Sequence, residues 1–289
     1  MDKNILKNTK TDFPRNVSVA CCGIEGSNAE TACLKIFPGG KINYVGSFKE
    51  VFDAVKNGSS EYGVLPIENS FNGSVRAVYD LMIQYRFFIV KSLLLPIRHN
   101  LLAKRGAKIE MLESIYSHSQ ALGQCSKFLN SQAEKYGTKS IPFWNTAGAA
   151  KMVSENENPC IAAIASPSCS EIYGLECLAA GIQDNDNNYT KFICVSKEAA
   201  IYDRADHISL IVGLKNVPGA LNSVLSKIAA HGVNMNKIES CPKAGCSFEY
   251  IFFIELEASV NDAQIISMLE DIESCCTDFV FLGNYPLDL

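Results

Sequence analysis

The sequence contains no run of about 18 consecutive apolar residues, the length that a transmembrane helix requires, so a membrane-spanning helix is excluded. It also lacks an excess of positive charge, since 26 lysine and arginine residues are set against 31 aspartate and glutamate residues. Nucleic-acid binding is therefore not expected. Segment 1–16 is polar and lysine-rich, without the apolar centre of a secretion signal. The 289 residues are 47% hydrophobic, which predicts a globular chain of about two domains.

Motifs of several common enzyme classes are absent as well. Neither G-x-x-x-x-G-K-[ST] nor G-x-G-x-x-G occurs, which argues against P-loop and dinucleotide-binding sites. There is no G-x-S-x-G and no H-E-x-x-H, so a serine-hydrolase elbow and a zinc-protease helix are not indicated. The four histidines are scattered along the chain and form no cluster with other metal ligands, so we expect no metal site.

The twelve cysteines do not follow the pattern of a disulfide or zinc scaffold. No C-x-x-C occurs, and two adjacent pairs would point to opposite faces of a strand, namely Cys21-Cys22 and Cys275-Cys276. Six cysteines sit in apolar runs, where a free thiol acts as a small hydrophobic residue, namely Cys21, Cys22, Cys125, Cys160, Cys169 and Cys194. Only Cys241 and Cys246 flank a short turn across which they can face each other. We predict buried, reduced thiols in a cytoplasmic protein.

The chain shows two successive patterns of predicted elements. From residue 17 to about 196, short apolar runs alternate with helical patterns, which predicts an α/β fold with a mostly parallel sheet. A break at Pro96 and a late strand at Thr190 suggest two lobes between which the chain crosses. From residue 207, the order strand, helix, strand, strand, helix, strand predicts a ferredoxin-like module. We divide the chain into a tail at 1–16, a two-lobed domain at 17–200 and a second domain at 205–289.

Small polar residues cluster where the predicted strands of the two-lobed domain end. Ligands of open α/β sheets bind at this edge, although each cluster also precedes a helix and can be explained as a cap. Several helix amino ends at one edge suit an anion, either a carboxylate or a phosphate. Among these residues, His118 is a candidate general base or a strand-end hydrogen-bonding group. The clusters are Glu68-Asn69-Ser70, Ser117-His118-Ser119-Gln120, Asn145-Thr146 and Ser166-Pro167-Ser168.

The second domain has one candidate site of its own. Val217-Pro218-Gly219-Ala220-Leu221 opens its first predicted helix. Proline favours a helix start and glycine permits a close approach of backbone. The segment is therefore either a tight turn without a ligand or an effector pocket, since small residues leave space there.

A series of ordered motifs extends over about residues 17–286. In the two-lobed domain they are Tyr62-Gly63-Val64-Leu65-Pro66-Ile67-Glu68-Asn69-Ser70, Leu95-Pro96-Ile97-Arg98-His99-Asn100, Tyr116-Ser117-His118-Ser119-Gln120-Ala121, Asn145-Thr146-Ala147, and Asn188-Tyr189-Thr190-Lys191-Phe192. In this order they resemble the signatures of prephenate dehydratases. Pro218-Gly219-Ala220-Leu221 and Glu239-Ser240-Cys241-Pro242 resemble the phenylalanine-sensing elements of an ACT regulatory domain.

The resemblance implies a two-lobed fold like that of periplasmic binding proteins, followed by the ACT domain. It also implies conversion of prephenate to phenylpyruvate with loss of water and CO2, without a cofactor, because aromatisation drives the reaction. The family's essential threonine corresponds to Thr190, which we expect to hydrogen-bond the departing hydroxyl. We expect Glu68 to be a structural or orienting partner. Further expected substrate-binding residues are Asn69, Ser70, Ser117, Gln124, Asn145, Thr146, Ser166, Lys191 and Phe192.

The same resemblance implies feedback inhibition by phenylalanine. The expected effector residues are Pro218, Gly219, Ala220, Leu221 and Asn222, together with Glu239 and Ser240 of a neighbouring ACT domain. Such a shared pocket implies a homo-oligomer, either a dimer or a tetramer, that forms through the ACT domains. The edge strands of a ferredoxin-like sheet offer a route to this pairing.

Four positions depart from the family's usual residues. Lys191 replaces an arginine, so a bidentate carboxylate clamp becomes a point charge. Asn28 and Ala29 stand where an aromatic residue and a serine are common, and Cys241 replaces an arginine of the effector motif. Two alternatives therefore stay open. One is arogenate dehydratase, whose substrate carries an amino group in place of the keto oxygen, and the other is a degenerate member that only binds ligand, against which the retained Thr190 argues.

Overall fold

The structure, a computed structural model, describes residues 9–10, 12–242 and 250–289. Its sheets and covering helices form three units, which we call the first lobe, the second lobe and the C-terminal module. A two-stranded parallel ribbon, β1 (Thr9–Lys10) with β13 (Ile201–Tyr202), joins the N-terminal segment to the link before the module. Residues 243–245 of the short turn expected between Cys241 and Cys246, and Cys246 itself, lie outside the described residues. All eleven cysteines that the structure describes are free thiols, and six of them are buried.

The first lobe is a mixed seven-stranded sheet with three helices. Its strands are β2 (Ser18–Cys22), β3 (Lys41–Val45), β4 (Tyr62–Asn69), β5 (Gly73–Ser74), β6 (Phe88–Pro96), β12 (Tyr189–Ser196) and β18 (Leu287–Asp288), and its helices are α1 (Asn28–Ile36), α2 (Phe48–Asn57) and α3 (Arg76–Tyr85). The strand order is β18-β6-β12-β4-β2-β3, with β5 paired to β4. Helix α1 begins after Ser27, whose side chain accepts a hydrogen bond from the Glu30 N–H and so caps the helix.

The second lobe is a five-stranded sheet in the order β11-β7-β10-β8-β9. Its strands are β7 (Asn100–Ala103), β8 (Ser114–Ser117), β9 (Lys139–Pro142), β10 (Ile161–Ala165) and β11 (Glu176–Ala179), and its α-helices are α4 (Ser119–Gln124), α5 (Ser126–Tyr136), α6 (Thr146–Glu155) and α7 (Ser168–Ile172), with a 3₁₀ turn at Ile109–Met111. The chain leaves the first lobe after β6 and returns in β12. The predicted two-lobed α/β fold is thereby confirmed, although both sheets are mixed rather than mostly parallel.

The C-terminal module has the predicted ferredoxin-like order. Its elements are β14 (His207–Gly213), α8 (Ala220–Ala230), β15 (Asn234–Pro242), β16 (Tyr250–Glu257), α9 (Ala263–Ser274) and β17 (Asp278–Tyr285). The sheet order is β15-β16-β14-β17, and every pair is antiparallel. One face of this sheet packs on α8 and α9 through residues such as Ile254 and Leu269.

The other face of the module's sheet packs on the first lobe. Phe253 and Leu282 of the module share one buried cluster with Leu65 and Tyr79 of the first lobe. The chain end then enters the first-lobe sheet, where β18 pairs in parallel with β6. This packing accounts for the burial of all seven residues of β14, because the strand is covered on both faces.

Candidate active site

A cleft of about 840 Å³ lies between the two lobes. It opens at the carboxyl ends of β2, β3, β4 and β8, the edge at which ligands of open α/β sheets bind. The strand β12, which returns from the second lobe, runs antiparallel to β4 and contributes its first residues to the same edge. The site is therefore assembled from segments that are far apart in the sequence.

Asn69 and Thr190 form a polar pair at the base of the cleft. They are register partners on β4 and β12, and both side chains are largely buried. The Asn69 amide donates to Thr190 Oγ1 at 3.0 Å, and it also donates to Asn188 Oδ1 at 2.9 Å. Because Thr190 Oγ1 accepts from this amide, its own proton is left to donate towards a ligand in the cleft. The arrangement therefore presents a hydroxyl group that can donate into the cleft.

A second hydrogen-bond chain connects this pair to the other lobe. Gln124 Oε1 accepts from Asn188 Nδ2 at 3.0 Å and from His99 Nε2 at 2.8 Å. Burial lowers the pKa of His99, which keeps the ring neutral near pH 7. With its proton on Nε2, the ring acts as a neutral donor that holds Gln124 in place.

The part of the cleft wall that the structure describes contains two histidines and otherwise no ionisable acid or base of the lysine, arginine, aspartate or glutamate type. The amino ends of α1 and α6 border it, through Asn28 in one case and Thr146 in the other. Asn145 caps α6 by accepting from the Gly148 N–H at 3.1 Å. Backbone N–H groups and helix dipoles therefore supply the positive potential that an anion needs.

Aromatic side chains form the outer walls of the cleft. Tyr44 and Phe48 lie on the first-lobe side and Trp144 on the second-lobe side. The Tyr44 hydroxyl donates to the carboxylate of Glu30, which is buried and also accepts from the Gly26 N–H at 2.6 Å. Burial, with the hydrogen bond to Glu30, raises the pKa of Tyr44 and keeps the phenol neutral. These rings are suited to a flat, partly apolar ligand.

The structure brings part of the predicted site together in the cleft. The expected residues that line it are Asn69, Gln124, Asn145, Thr146, Thr190 and Phe192. Asn28 and Ala29, which depart from the family's usual residues, line it as well. His118 also reaches the cleft, and its Nδ1 accepts from the Gln120 N–H at 3.3 Å, which is the strand-end hydrogen-bonding role.

Three predicted serines are placed elsewhere, because their hydroxyls bind backbone. Ser117 Oγ donates to Ile164 O and Ser166 Oγ donates to Gly26 O, each at 2.6 Å. Ser70 Oγ donates to a carbonyl of the loop before β12 at 3.1 Å and accepts the Tyr189 N–H at 3.0 Å. These serines stabilise the loops around the cleft rather than line it.

Glu68 and Lys191 also lie outside the cleft, so neither is placed as the substrate ligand expected, while Glu68 has the structural role that was also expected. Successive residues of a strand point to opposite faces, so the neighbours of Asn69 and Thr190 point away from the cleft. Lys191 Nζ donates to both Glu255 oxygens, at 2.5 and 2.6 Å, and Lys237 Nζ donates to Glu68 Oε1 at 2.7 Å. Both side chains thus bind the C-terminal module.

Sequence reasoning missed several residues of the cleft. Asn188 and His99 hold the hydrogen-bond chain, and Tyr44, Phe48 and Trp144 build the walls. A signal existed for some of them. Tyr44 lies at the end of a strand parallel to β2, and Trp144 directly precedes the cap of α6, so both occupy the ligand-binding edge.

The predicted effector segment borders a small pocket of the module, of about 120 Å³. Ala220 and Leu221 line it together with Tyr250 and Phe252, and Gly219 caps the helix with a φ of 83°. The other expected residues do not line it. Pro218 and Asn222 are exposed at the surface of the turn and helix.

The second effector motif lies at the interface with the first lobe. Glu239 Oε2 accepts from Ser74 Oγ at 2.6 Å, and Ser240 O accepts from Arg76 Nη1 at 2.9 Å. Cys241 is buried in the cluster that the module shares with the first lobe. Within one chain, this motif is therefore separate from the pocket beside Gly219.

Comparison with known proteins agrees with this architecture. The family models of prephenate dehydratase and of the ACT domain match residues 19–200 and 208–274. Arogenate dehydratase/prephenate dehydratase 1 of Arabidopsis thaliana is 36% identical over 289 aligned positions, which cover 94% of this chain and 73% of the relative.

Two solved structures are also similar. Prephenate dehydratase of Arthrobacter aurescens in complex with L-Phe has a TM-score of 0.85 and 29% identity, covering 93% of this chain and 89% of that one. GqqA, described as a novel type of quorum quenching acylase, has a TM-score of 0.85 and 27% identity, covering 94% and 98%. With its family match across the two lobes and an ACT match in the C-terminal module, the chain belongs to the prephenate dehydratase family of decarboxylating hydro-lyases.

Proposed function

We propose that this protein converts prephenate to phenylpyruvate, with loss of water and CO2, and that Thr190 is its catalytic residue. The observation that carries the proposal is the pair at the base of the cleft, where the Asn69 amide donates to Thr190 Oγ1 and leaves the threonine proton to donate to a ligand. A neutral cleft bordered by two helix amino ends suits a dicarboxylate with a six-membered ring.

The atom that most needs stabilisation in this reaction is the oxygen of the departing ring hydroxyl. When the ring carboxylate leaves as CO2, its bonding electrons move through the ring and expel the hydroxyl on the opposite ring carbon. That hydroxyl departs as water after gaining one proton, and the ring becomes aromatic. A hydrogen bond from Thr190 stabilises the negative charge that develops on the departing oxygen. Aromatisation supplies the driving force, so the proposed reaction uses no cofactor.

The composition of the cleft favours prephenate over arogenate. Arogenate carries an ammonium group where prephenate carries a keto oxygen, and a buried ammonium needs an anionic or strong acceptor partner. No acidic side chain lines the described cleft, because the carboxylate of Glu30 is occupied by Tyr44 and Gly26. A keto oxygen can instead accept from backbone N–H groups or side-chain amides.

The test is turnover of both substrates by the purified chain. Phenylpyruvate formed from prephenate is followed by its absorbance in alkali, and phenylalanine formed from arogenate is followed by chromatography. We expect a higher kcat/KM for prephenate. A higher value for arogenate would assign the protein to that alternative. Binding of either compound without turnover, seen as a change in fluorescence of Trp144, the single tryptophan, would identify a degenerate ligand-binding member.

We also propose that phenylalanine inhibits the enzyme by binding beside Gly219. The pocket there offers an apolar wall from Leu221, Tyr250 and Phe252 and lies at the amino end of α8. Glu239 and Ser240 lie on β15, the edge strand of the sheet, so in a dimer or tetramer a neighbouring module would bring them to this pocket by exchanging their contacts with Ser74 and Arg76 for contacts with the ligand. A cytoplasmic location is part of the proposal. No helix among the described residues is long and apolar enough to cross a membrane.

A further inference from the structure

The strands that carry the proposed catalytic pair carry two charged residues directly behind it. Thr190 pairs with Asn69 across β12 and β4, and the next register pair is Lys191 with Glu68. Since side chains alternate along each strand, the first pair faces the cleft and the second faces the C-terminal module. Any displacement of Lys191 along or across β12 therefore displaces the backbone of Thr190 as well.

The module binds both of these charged side chains. Lys191 Nζ lies 2.5 Å from Glu255 Oε1, and the exposed fractions of the two side chains are 13% and 9%. Tyr285 Oη donates to the same carboxylate at 3.1 Å. Glu68 is held by Lys237 at 2.7 Å. A buried charge that loses its partner is strongly unfavourable, so Lys191 must follow Glu255 when the module's sheet moves.

The strand β16 connects this ion pair to the pocket beside Gly219. Glu255 and Phe253 point from β16 towards the first lobe, whereas Phe252 and Tyr250 line the pocket on the other side of the strand. A ligand that shifts β16 at the pocket thus shifts the Glu255 carboxylate. Two strands of different sheets, β16 and β12, joined by the ion pair of Lys191 with Glu255, make the path from pocket to cleft.

We propose that Lys191 and Glu255 form a positioning pair, which sets the place of Thr190 in the cleft and transmits the state of the module's pocket to it. The proposal deepens the proposed function and rests on it. It also replaces the expected role of Lys191 as a substrate ligand. Glu255 acts from the module, out of reach of any substrate, and this separates positioning from binding.

The test is a kinetic comparison of Glu255→Gln and Lys191→Met in the full chain with prephenate. We expect each to lower kcat about tenfold while KM changes less than threefold, because a small misplacement of a catalytic group is costly and substrate contacts stay intact. The double variant should be no slower than either single variant. Lys191→Arg, which keeps the ion pair, should retain kcat. Phenylalanine should inhibit both single variants more weakly than the native enzyme.

The chain offers a matched control at the same interface. Arg86 Nη2 and Asp278 Oδ2 also join the first lobe to the module, at 2.6 Å, but lie away from the ends of β4 and β12. Asp278→Asn should leave kcat and phenylalanine inhibition unchanged. Thermal melts show whether each variant is folded. Lys191→Arg and Asp278→Asn are the reference variants with which the melting temperatures of the others are compared.

Two results would overturn the proposal while leaving the proposed function intact. One is an active native enzyme whose Glu255→Gln variant behaves like Asp278→Asn. The other is a Lys191→Met variant with a raised KM and native kcat, beside a Glu255→Gln variant with native kinetics, since Lys191 would then contact substrate. A native enzyme that turns over neither prephenate nor arogenate would instead overturn the proposed function, and this inference with it.

Discussion

The cleft and the interface behind it use opposite kinds of side chain, although the same two strands supply both. On the cleft side, Asn69 and Thr190 are neutral and bind each other. On the interface side, Glu68 and Lys191 are charged and bind the module. No lysine or arginine among the described residues lines the cleft, so the dianion that we propose as its ligand would be bound by N–H groups and helix dipoles. These groups do not collapse onto an acidic neighbour when the ligand is absent. Lys191 and Lys237 instead join the first lobe to the C-terminal module.

The largest effect on activity is expected when a negative charge is placed in the neutral cleft. Asn69→Asp is nearly isosteric, yet it removes the donor to Thr190 Oγ1, draws the threonine proton away from the substrate and adds a negative charge. We expect kcat/KM for prephenate to fall, which corresponds to a loss of about 3–4 kcal/mol in transition-state stabilisation. Asn57→Asp adds the same charge at the exposed end of α2 and should leave kinetics unchanged. Equal kinetics in the two variants would show that the Asn69 amide has no part in the reaction.

The packing of the C-terminal module on the first lobe can be weakened without changing a charged residue. Gly283 has a φ of 145°, and a Cβ there would lie 2.2 Å from Ile89 O of the first lobe. Gly283→Ala should therefore destabilise the chain by about 2–3 kcal/mol, measured as the free energy of unfolding in urea. Gly58 has a φ of 81° but open space around it, so Gly58→Ala should lower the free energy of unfolding by only about 1 kcal/mol. A similar loss in both variants would mean that the close contact with Ile89 is not needed for docking.

A change in the module's pocket should affect regulation and little else. Gly219 has a φ of 83°, so Gly219→Val strains the turn and places a branched side chain at the start of α8. The expected cost in stability is about 1–2 kcal/mol. Phenylalanine inhibition should be lost, while turnover without phenylalanine stays within a few-fold of native. The measurement is activity against phenylalanine concentration for the native protein and Gly219→Val. An unchanged concentration for half-maximal inhibition would show that phenylalanine binds elsewhere.

The smallest effect concerns His99, whose pKa is lowered by burial. The unfolded chain takes up a proton near the ordinary value of 6.5, while folded His99 resists protonation until a lower pH. His99 therefore contributes stability above pH 6.5, and this contribution is lost as pH falls towards the lowered pKa. Urea midpoints at pH 7 and pH 5.5 should differ more for the native protein than for His99→Gln. Equal differences would contradict a neutral buried ring.

Much of the fold could be predicted from local patterns. Ser27 with Glu30 marked the start of α1, and Gly58 ended α2 in the left-handed conformation. The pairing of Asn69 with Thr190 could not be predicted from spacing, because 121 residues separate them and only the crossing of the chain between the lobes brings them together. The family resemblance supplied Thr190 instead.

The same resemblance misplaced Lys191, and a simple rule could have corrected it. If Thr190 faces the cleft on a strand, its neighbour must face away. A second signal lay in Leu210-Ile211-Val212, a short continuous apolar run that is typical of a strand covered on both faces. Which surface covers it was beyond local patterns, since Leu65 and Tyr79 of the first lobe come from distant parts of the chain.

The most direct test of the account is the rate of phenylpyruvate formation from prephenate by the native chain and by Thr190→Val. The substitution is nearly isosteric and removes the hydroxyl that faces the cleft. We predict native turnover and a loss of about 2–4 kcal/mol in transition-state stabilisation for the variant, with prephenate still binding as judged by Trp144 fluorescence. Near-native kcat in Thr190→Val would contradict the role assigned to this residue and to the pair it forms with Asn69.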